Sequence, residues 1–182
     1  MNFKNLNVWY RALFIVSAYY LVIAILGELQ FFISLINNII SSEDSFTYFD
    51  YLYRLGWLIF LLLIINSNYH ILFKTVNRKD LVINIIFSSI QIFGFHILYI
   101  AYYSIFGPNI MLVLGFQNGI ETQIVFSFSD IKYALMYIES QELQFISIGF
   151  IPLLILYIYL KVLRMEYAKK SNNIETETTS TI

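Results

Sequence analysis

The chain has 182 residues and no cysteine. Disulfides, thiol nucleophiles and cysteine-ligated metal sites are therefore excluded. It has only 2 histidines, too few for an ordinary zinc site without carboxylates. With 2 prolines and 7 glycines it is neither fibrous nor low-complexity. Charge is scarce as well. Asp, Glu, Lys and Arg make up 13% of the residues, about half the roughly 25% of a soluble domain. The net charge of −1 excludes a general nucleic-acid binder, which needs a large positive excess.

What is present is apolar. Hydrophobic residues are 59% and aromatics 19% of the chain. So few charges cannot cover that much apolar surface in water, so the expected solvent is lipid. Four runs nearly free of charge are long enough for a helix to cross the hydrocarbon core. They cover residues 12–40, 55–73, 81–106 and 143–161. The fold class expected is thus an all-α integral membrane protein with four transmembrane helices. A cleaved signal peptide is a poorer reading of the first run, which is too long and lacks a small-x-small site.

Basic residues set the orientation. Four spans put both termini on one side. That side would hold Lys4, Arg11, Lys74, Arg78, Lys79, Lys161, Arg164, Lys169 and Lys170, leaving only Arg54 and Lys132 opposite. Both termini are expected in the cytoplasm of a bacterial cell, with the protein in its inner membrane.

The segment 107–142 is the largest piece outside the expected spans. Ile110–Phe116 and Ile120–Phe128 read as two strands, and Asn118-Gly119 supplies the turn between them. Ser129 or Asp130 can cap a helix, and Ile131, Leu135 and Ile138 recur at helical spacing. A β-hairpin followed by a short amphipathic helix is expected, with a re-entrant apolar loop at residues 110–116 as the alternative. Residues 171–182 are polar and Thr-rich and are expected to form a disordered cytoplasmic tail.

Ionisable groups inside apolar runs are the default candidates for function. Glu28 and His96 fall at comparable depths and are the candidate intramembrane pair; His70 reads as an interfacial anchor. The competing reading of Glu28 is a headgroup contact. Asn84, Ser88 and Gln91 lie at i, i+4 and i+7 and share one helix face, expected to be helix-packing glue. No nucleotide-binding, zinc-protease or serine-hydrolase motif occurs. No cofactor, metal or catalytic residue is expected, and enzyme activity is not.

The layout of four spans resembles small four-helix membrane subunits of bacterial systems, such as the Kiwa-type phage-defence membrane component. The resemblance extends to topology alone and carries no functional residue. It implies a non-enzymatic membrane subunit that oligomerises and serves as sensor, scaffold or anchor for a cytosolic partner. The alternatives are an oligomeric channel or small transporter, and an accessory protein of a larger membrane complex.

Overall fold

A computed structural model describes residues 6–41, 48–97, 100–106, 109–116, 120–127, 131–137 and 144–179. Three helices come first: α1 (Val8–Ser41), α2 (Tyr48–Phe73) and α3 (Arg78–Ile92). Six strands follow: β1 (Phe93–Ile97), β2 (Ile100–Phe106), β3 (Asn109–Gly115), β4 (Glu121–Ser127), β5 (Ile131–Tyr137) and β6 (Phe145–Gly149). The last element is α4 (Phe150–Thr179).

The helices lie side by side. α1 and α3 each contact both α2 and α4. Their common interior includes Leu13, Tyr20, Leu61, Ile64, Phe87 and Tyr159. Asn77 starts α3: its backbone is extended and its side chain accepts from Lys79 N at 3.3 Å, the geometry of an N-cap. Asp80 sits in that first turn, where the helix dipole favours a carboxylate. Pro152 is tolerated in α4 because a first-turn N–H has no partner within the helix.

The strands form one antiparallel sheet in the order β4-β3-β6-β1-β2-β5. β1 follows α3 with no connecting residue, and β6 runs directly into α4. β1 and β6 are paired, with Gly94 opposite Ser147 and His96 opposite Phe145. Met111 of β3 faces Gly149 of β6. Tyr102 of β2 donates to the Ile90 carbonyl at 2.7 Å, satisfying one of the acceptors left open at the end of α3.

Alternation along the strands separates two faces. Gly94, His96, Asn109, Ser147 and Gly149 share one face and are buried. The opposite face carries Phe93, Phe95 and Ile97 from β1, Ile110, Leu112 and Leu114 from β3, Ile124 and Phe126 from β4, and Ile146 and Ile148 from β6. None of these ten is buried; Ile124 and Phe126 are 62% and 60% exposed.

This architecture overturns the four-span, all-α expectation. Among the described residues only Val8–Ile33 and Leu55–Phe73 are helical stretches long and apolar enough to cross a membrane. The expected third span, 81–106, is helical only as far as Ile92. Gly94 is a poor helix former, and the aromatic and β-branched residues around it favour strand. The expected amphipathic helix after Asp130 is instead β5, paired along its whole length with β2. The expected tail is helical as far as Thr179, because α4 continues through Ala168, Lys169 and Lys170. Once nucleated, a helix gains one bond per added residue. The hairpin is present as β3 and β4, each bound within a residue of its expected position, with Leu112 opposite Ile124. Its turn, Asn118-Gly119, lies outside the described residues.

Candidate functional site: a polar seam between the helices

The face built from Asn84, Ser88 and Gln91 points into the helical interior, and all three side chains are buried. Asn84 is the centre. Its amide nitrogen donates to Ser67 Oγ at 2.9 Å and to the Asp80 carbonyl at 2.9 Å. Its amide oxygen accepts from Asn68 Nδ2 at 2.7 Å. Asn68 in turn accepts from Tyr159 OH at 3.1 Å, which lies 3.3 Å from Ser17 Oγ. Ser88 Oγ donates to the Asn84 carbonyl at 2.8 Å and lies 3.0 Å from Tyr20 OH. Gln91 reaches the same Tyr20 hydroxyl at 3.5 Å and the Phe87 carbonyl at 3.3 Å.

The seam therefore joins all four helices through side chains alone. Ser17 and Tyr20 come from α1, Ser67 and Asn68 from α2, Asn84, Ser88 and Gln91 from α3, and Tyr159 from α4. Rings pack beside it: Tyr20 stacks on Tyr159 at 6.2 Å and meets Phe87 edge-on at 5.0 Å. An interhelical hydrogen bond in lipid contributes on average about 0.6 kcal/mol. Leaving a buried partner unbonded costs about 1–3 kcal/mol. The seam thus fixes helix register more than it adds stability. The polar residues Ser67 and Asn68 of α2 belong to it; Asn66, their neighbour in sequence, is exposed.

Glu28 and His96 are not joined. Both are buried, at 7% and 4% exposure. Yet neither carboxylate oxygen of Glu28 has a hydrogen-bond partner, nor does His96 Nε2. His96 lies on a strand, and its ring meets that of Phe145 edge-on at 6.2 Å. The depth count placed both in helices, so it fixed neither rotation nor distance once β1 replaced a helix. Asn109 Oδ1 is a further buried atom without a partner. Its side chain lies over Gly149: a Cβ there would stand 2.8 Å from Asn109 Nδ2 and 3.3 Å from the Gln91 carbonyl.

A second polar cluster closes the opposite end of the helices. Tyr10 donates to Glu166 Oε1, Lys169 donates to Tyr10 OH at 2.6 Å, and Lys169 reaches Glu166 Oε1 at 3.1 Å. Burial favours the neutral Glu166 acid, but the Tyr10 and Lys169 hydrogen bonds and the Lys169 and Arg78 charges outweigh it. The Glu166 carboxyl is held below the usual range. Lys169 is raised, first by the bond to Tyr10. Arg78 lies 3.9 Å over the Tyr167 ring, and Lys161 lies 5.8 Å from the Trp9 ring. His70, expected as an interfacial anchor, stands 3.6 Å from Asp80, with Lys74 Nζ 3.3 Å from its other nitrogen. Burial raises the Asp80 carboxyl above its ordinary value despite His70 and Lys74. Neither the His70–Asp80 ion pair nor the Tyr10–Glu166 hydrogen bond was visible in the sequence. His70 and Asp80 are ten residues apart across a helix turn, and Tyr10 and Glu166 lie at opposite ends of the chain.

Among the described residues no group of three or more His, Asp or Glu side chains could hold a metal ion. The chain matches no protein-family model, no curated protein and no solved structure.

Proposed function

We propose that this chain is a non-enzymatic membrane subunit, anchored through α1 and α2, that serves as scaffold or anchor for a protein partner. The observation that carries the reading is the apolar outside of the helices. A bonded polar seam lies inside among apolar core residues, while further large apolar side chains cover the outer faces. Ile15, Val22, Leu29 and Ile33 are exposed along α1, and Leu55, Ile59 and Leu62 along α2. Two apolar helices of sufficient length would also suit the core of a water-soluble protein, but that core would be covered. Lipid is the solvent in which such outer faces cost nothing.

The basic residues gather at one end. Arg11 begins α1, Lys74 follows α2, Arg78 and Lys79 begin α3, and Lys161, Arg164 and Lys169 lie on the later part of α4. This end is the cytoplasmic one under the positive-inside rule, and the bacterial inner membrane is the compartment proposed. It is also the surface offered to a cytosolic partner. A channel or transporter built on Glu28, His96, Gln91 and Asn84 is the weaker reading. Asn84 and Gln91 are occupied by Ser67, Asn68 and Tyr20, and Glu28 and His96 are not joined to them or to each other. A role in phage defence was drawn from a four-span layout and loses that support with it.

Alkaline carbonate extraction of cell membranes tests the anchor. The protein should stay in the pellet; release into the supernatant overturns the reading. A C-terminal alkaline phosphatase fusion should be inactive, and an active one reverses the orientation.

A further inference from the structure

In an antiparallel sheet with one covered face, large apolar side chains line the covered side and polar ones face outward. Here both faces are apolar. The covered face holds fully buried Gly94, His96, Asn109, Ser147 and Gly149 beside half-buried Met111, Val113, Val125 and Phe145, yet the other face is not polar. The open face holds Phe93, Ile124, Phe126 and Ile146 among its large apolar side chains, from 37% to 62% exposed. A contiguous apolar surface of this kind marks an interaction site.

We propose that this open face docks a second copy of the chain, sheet against sheet, about a twofold axis. Three arguments choose the occupant. Acyl chains are a poor cover, because β4 and β5 are edge strands whose outward backbone groups hydrocarbon cannot satisfy. The described side chains of the face carry no charge, so two copies can meet without repulsion, and a twofold contact requires such self-complementarity. The area also fits. Six strands spaced about 4.8 Å apart reach about 24 Å across, and strands of 5–7 residues run about 17–23 Å. That footprint of about 500 Å² is flat; side-chain relief raises it toward the roughly 800 Å² per partner of a standard specific interface. Two such sheets would pack about 10 Å apart. The inference holds whether or not α1 and α2 cross a membrane.

The test uses the full chain, purified in mild detergent. Because the chain has no cysteine, single introduced thiols report one site each. Ile148→Cys places a thiol at the middle of the open face, between β1 and β3. Gln123→Cys places one on the other face of edge strand β4, and Leu154→Cys one on the outer side of α4. The protein should have twice the mass of one chain by light scattering. A short bis-maleimide should cross-link Ile148→Cys into a dimer, with several-fold less product from the other two variants. A monomeric mass overturns the proposal. So does equal or greater cross-linking at Gln123, which would mean edge-to-edge strand pairing, or at Leu154, which would mean contact through the helices.

Discussion

The helices and the sheet both turn polar groups inward, but the helices bond most of theirs to one another, Glu28 being the exception. Along the seam from Ser17 to Gln91, each buried polar side chain meets a neighbour or a nearby carbonyl. On the buried face of the sheet, Ser147 reaches the Gly94 carbonyl at 3.2 Å, but His96 Nε2 and Asn109 Oδ1 have no partner. The difference comes from backbone geometry. A helix places residues i, i+4 and i+7 in one column, so polar positions on four helices can interlock at several levels. A strand exhausts its backbone groups on its neighbours and spaces same-face side chains two residues apart, which leaves the Asn109 amide oxygen without a partner. The helical region is specified by polar contacts, and the sheet by backbone pairing and shape.

The largest expected effect tests the helical side of this contrast. Asn84→Leu removes the hub of the seam: Asn68 keeps only Tyr159 and the Ile64 carbonyl, Ser67 keeps only the Ile64 carbonyl, and the Asp80 carbonyl loses its side-chain donor. It should destabilise the protein by about 2–4 kcal/mol, read as a fall in melting temperature in detergent. A loss under 0.5 kcal/mol would mean that the seam does not hold the helices.

Next is the sheet. Gly149→Ala should cost about 1–3 kcal/mol, because the new methyl would meet Asn109 and the Gln91 carbonyl. The double variant with Asn109→Ala should recover part of that loss. No recovery would show that the Gln91 carbonyl, not the amide, sets the limit. His96→Phe, in contrast, breaks no hydrogen bond at Nε2 and should change stability by less than about 1 kcal/mol, of either sign. A loss as large as that from Asn84→Leu would erase the distinction between the two regions.

The smallest effects lie at the basic end and are pH-dependent. Glu166 has a lowered pKa, so the folded protein favours its charged form. Its contribution is present above the ordinary glutamate range and is lost as pH falls through the lowered value. Glu166→Gln should remove that acid-side loss and cost about 0.5–1.5 kcal/mol at neutral pH. Asp80 has the opposite sign. Its raised pKa makes the folded state hold its proton more tightly, so stability falls as pH rises from the unfolded to the folded value. Asp80→Asn should flatten that fall and leave neutral-pH stability equal or higher. Thermal melts between pH 3 and pH 7 separate the two residues. Parallel curves for both variants would contradict the opposite shifts.

Several parts of this molecule were legible in its residues. The i, i+4, i+7 spacing of Asn84, Ser88 and Gln91 gave the seam its α3 side, and two strand-like runs on either side of Asn118-Gly119 gave β3 and β4. The run 81–106 misled because length and hydrophobicity look alike in a buried helix and a pair of strands. What separates them is Gly94 and the rise in aromatic residues around and after it, Phe93, Phe95, Tyr102, Tyr103 and Phe106. In 131–137, Ile131 and Leu135 fit a helical column, yet Ile131, Tyr133, Leu135 and Tyr137 also alternate. Only the seven paired positions of β2 decide between the two periods. The partners of Asn84 on α2 and α4 depend on helix rotation, which no single segment encodes. Tyr10 with Glu166 is a contact across 156 positions, beyond the reach of local pattern.

The absence of any loop between α3 and β1, or between β6 and α4, has a mechanical consequence. Movements between structural parts are absorbed by a few loop residues whose backbone angles can swing. Here the two central strands are held to the two helices by single peptide bonds, and Tyr102 braces the first joint. Tilting α3 against α4 therefore levers β1 against β6 in the same stroke. The sheet acts as a stiff extension of the helix pair, and a load applied at either end is felt at the other.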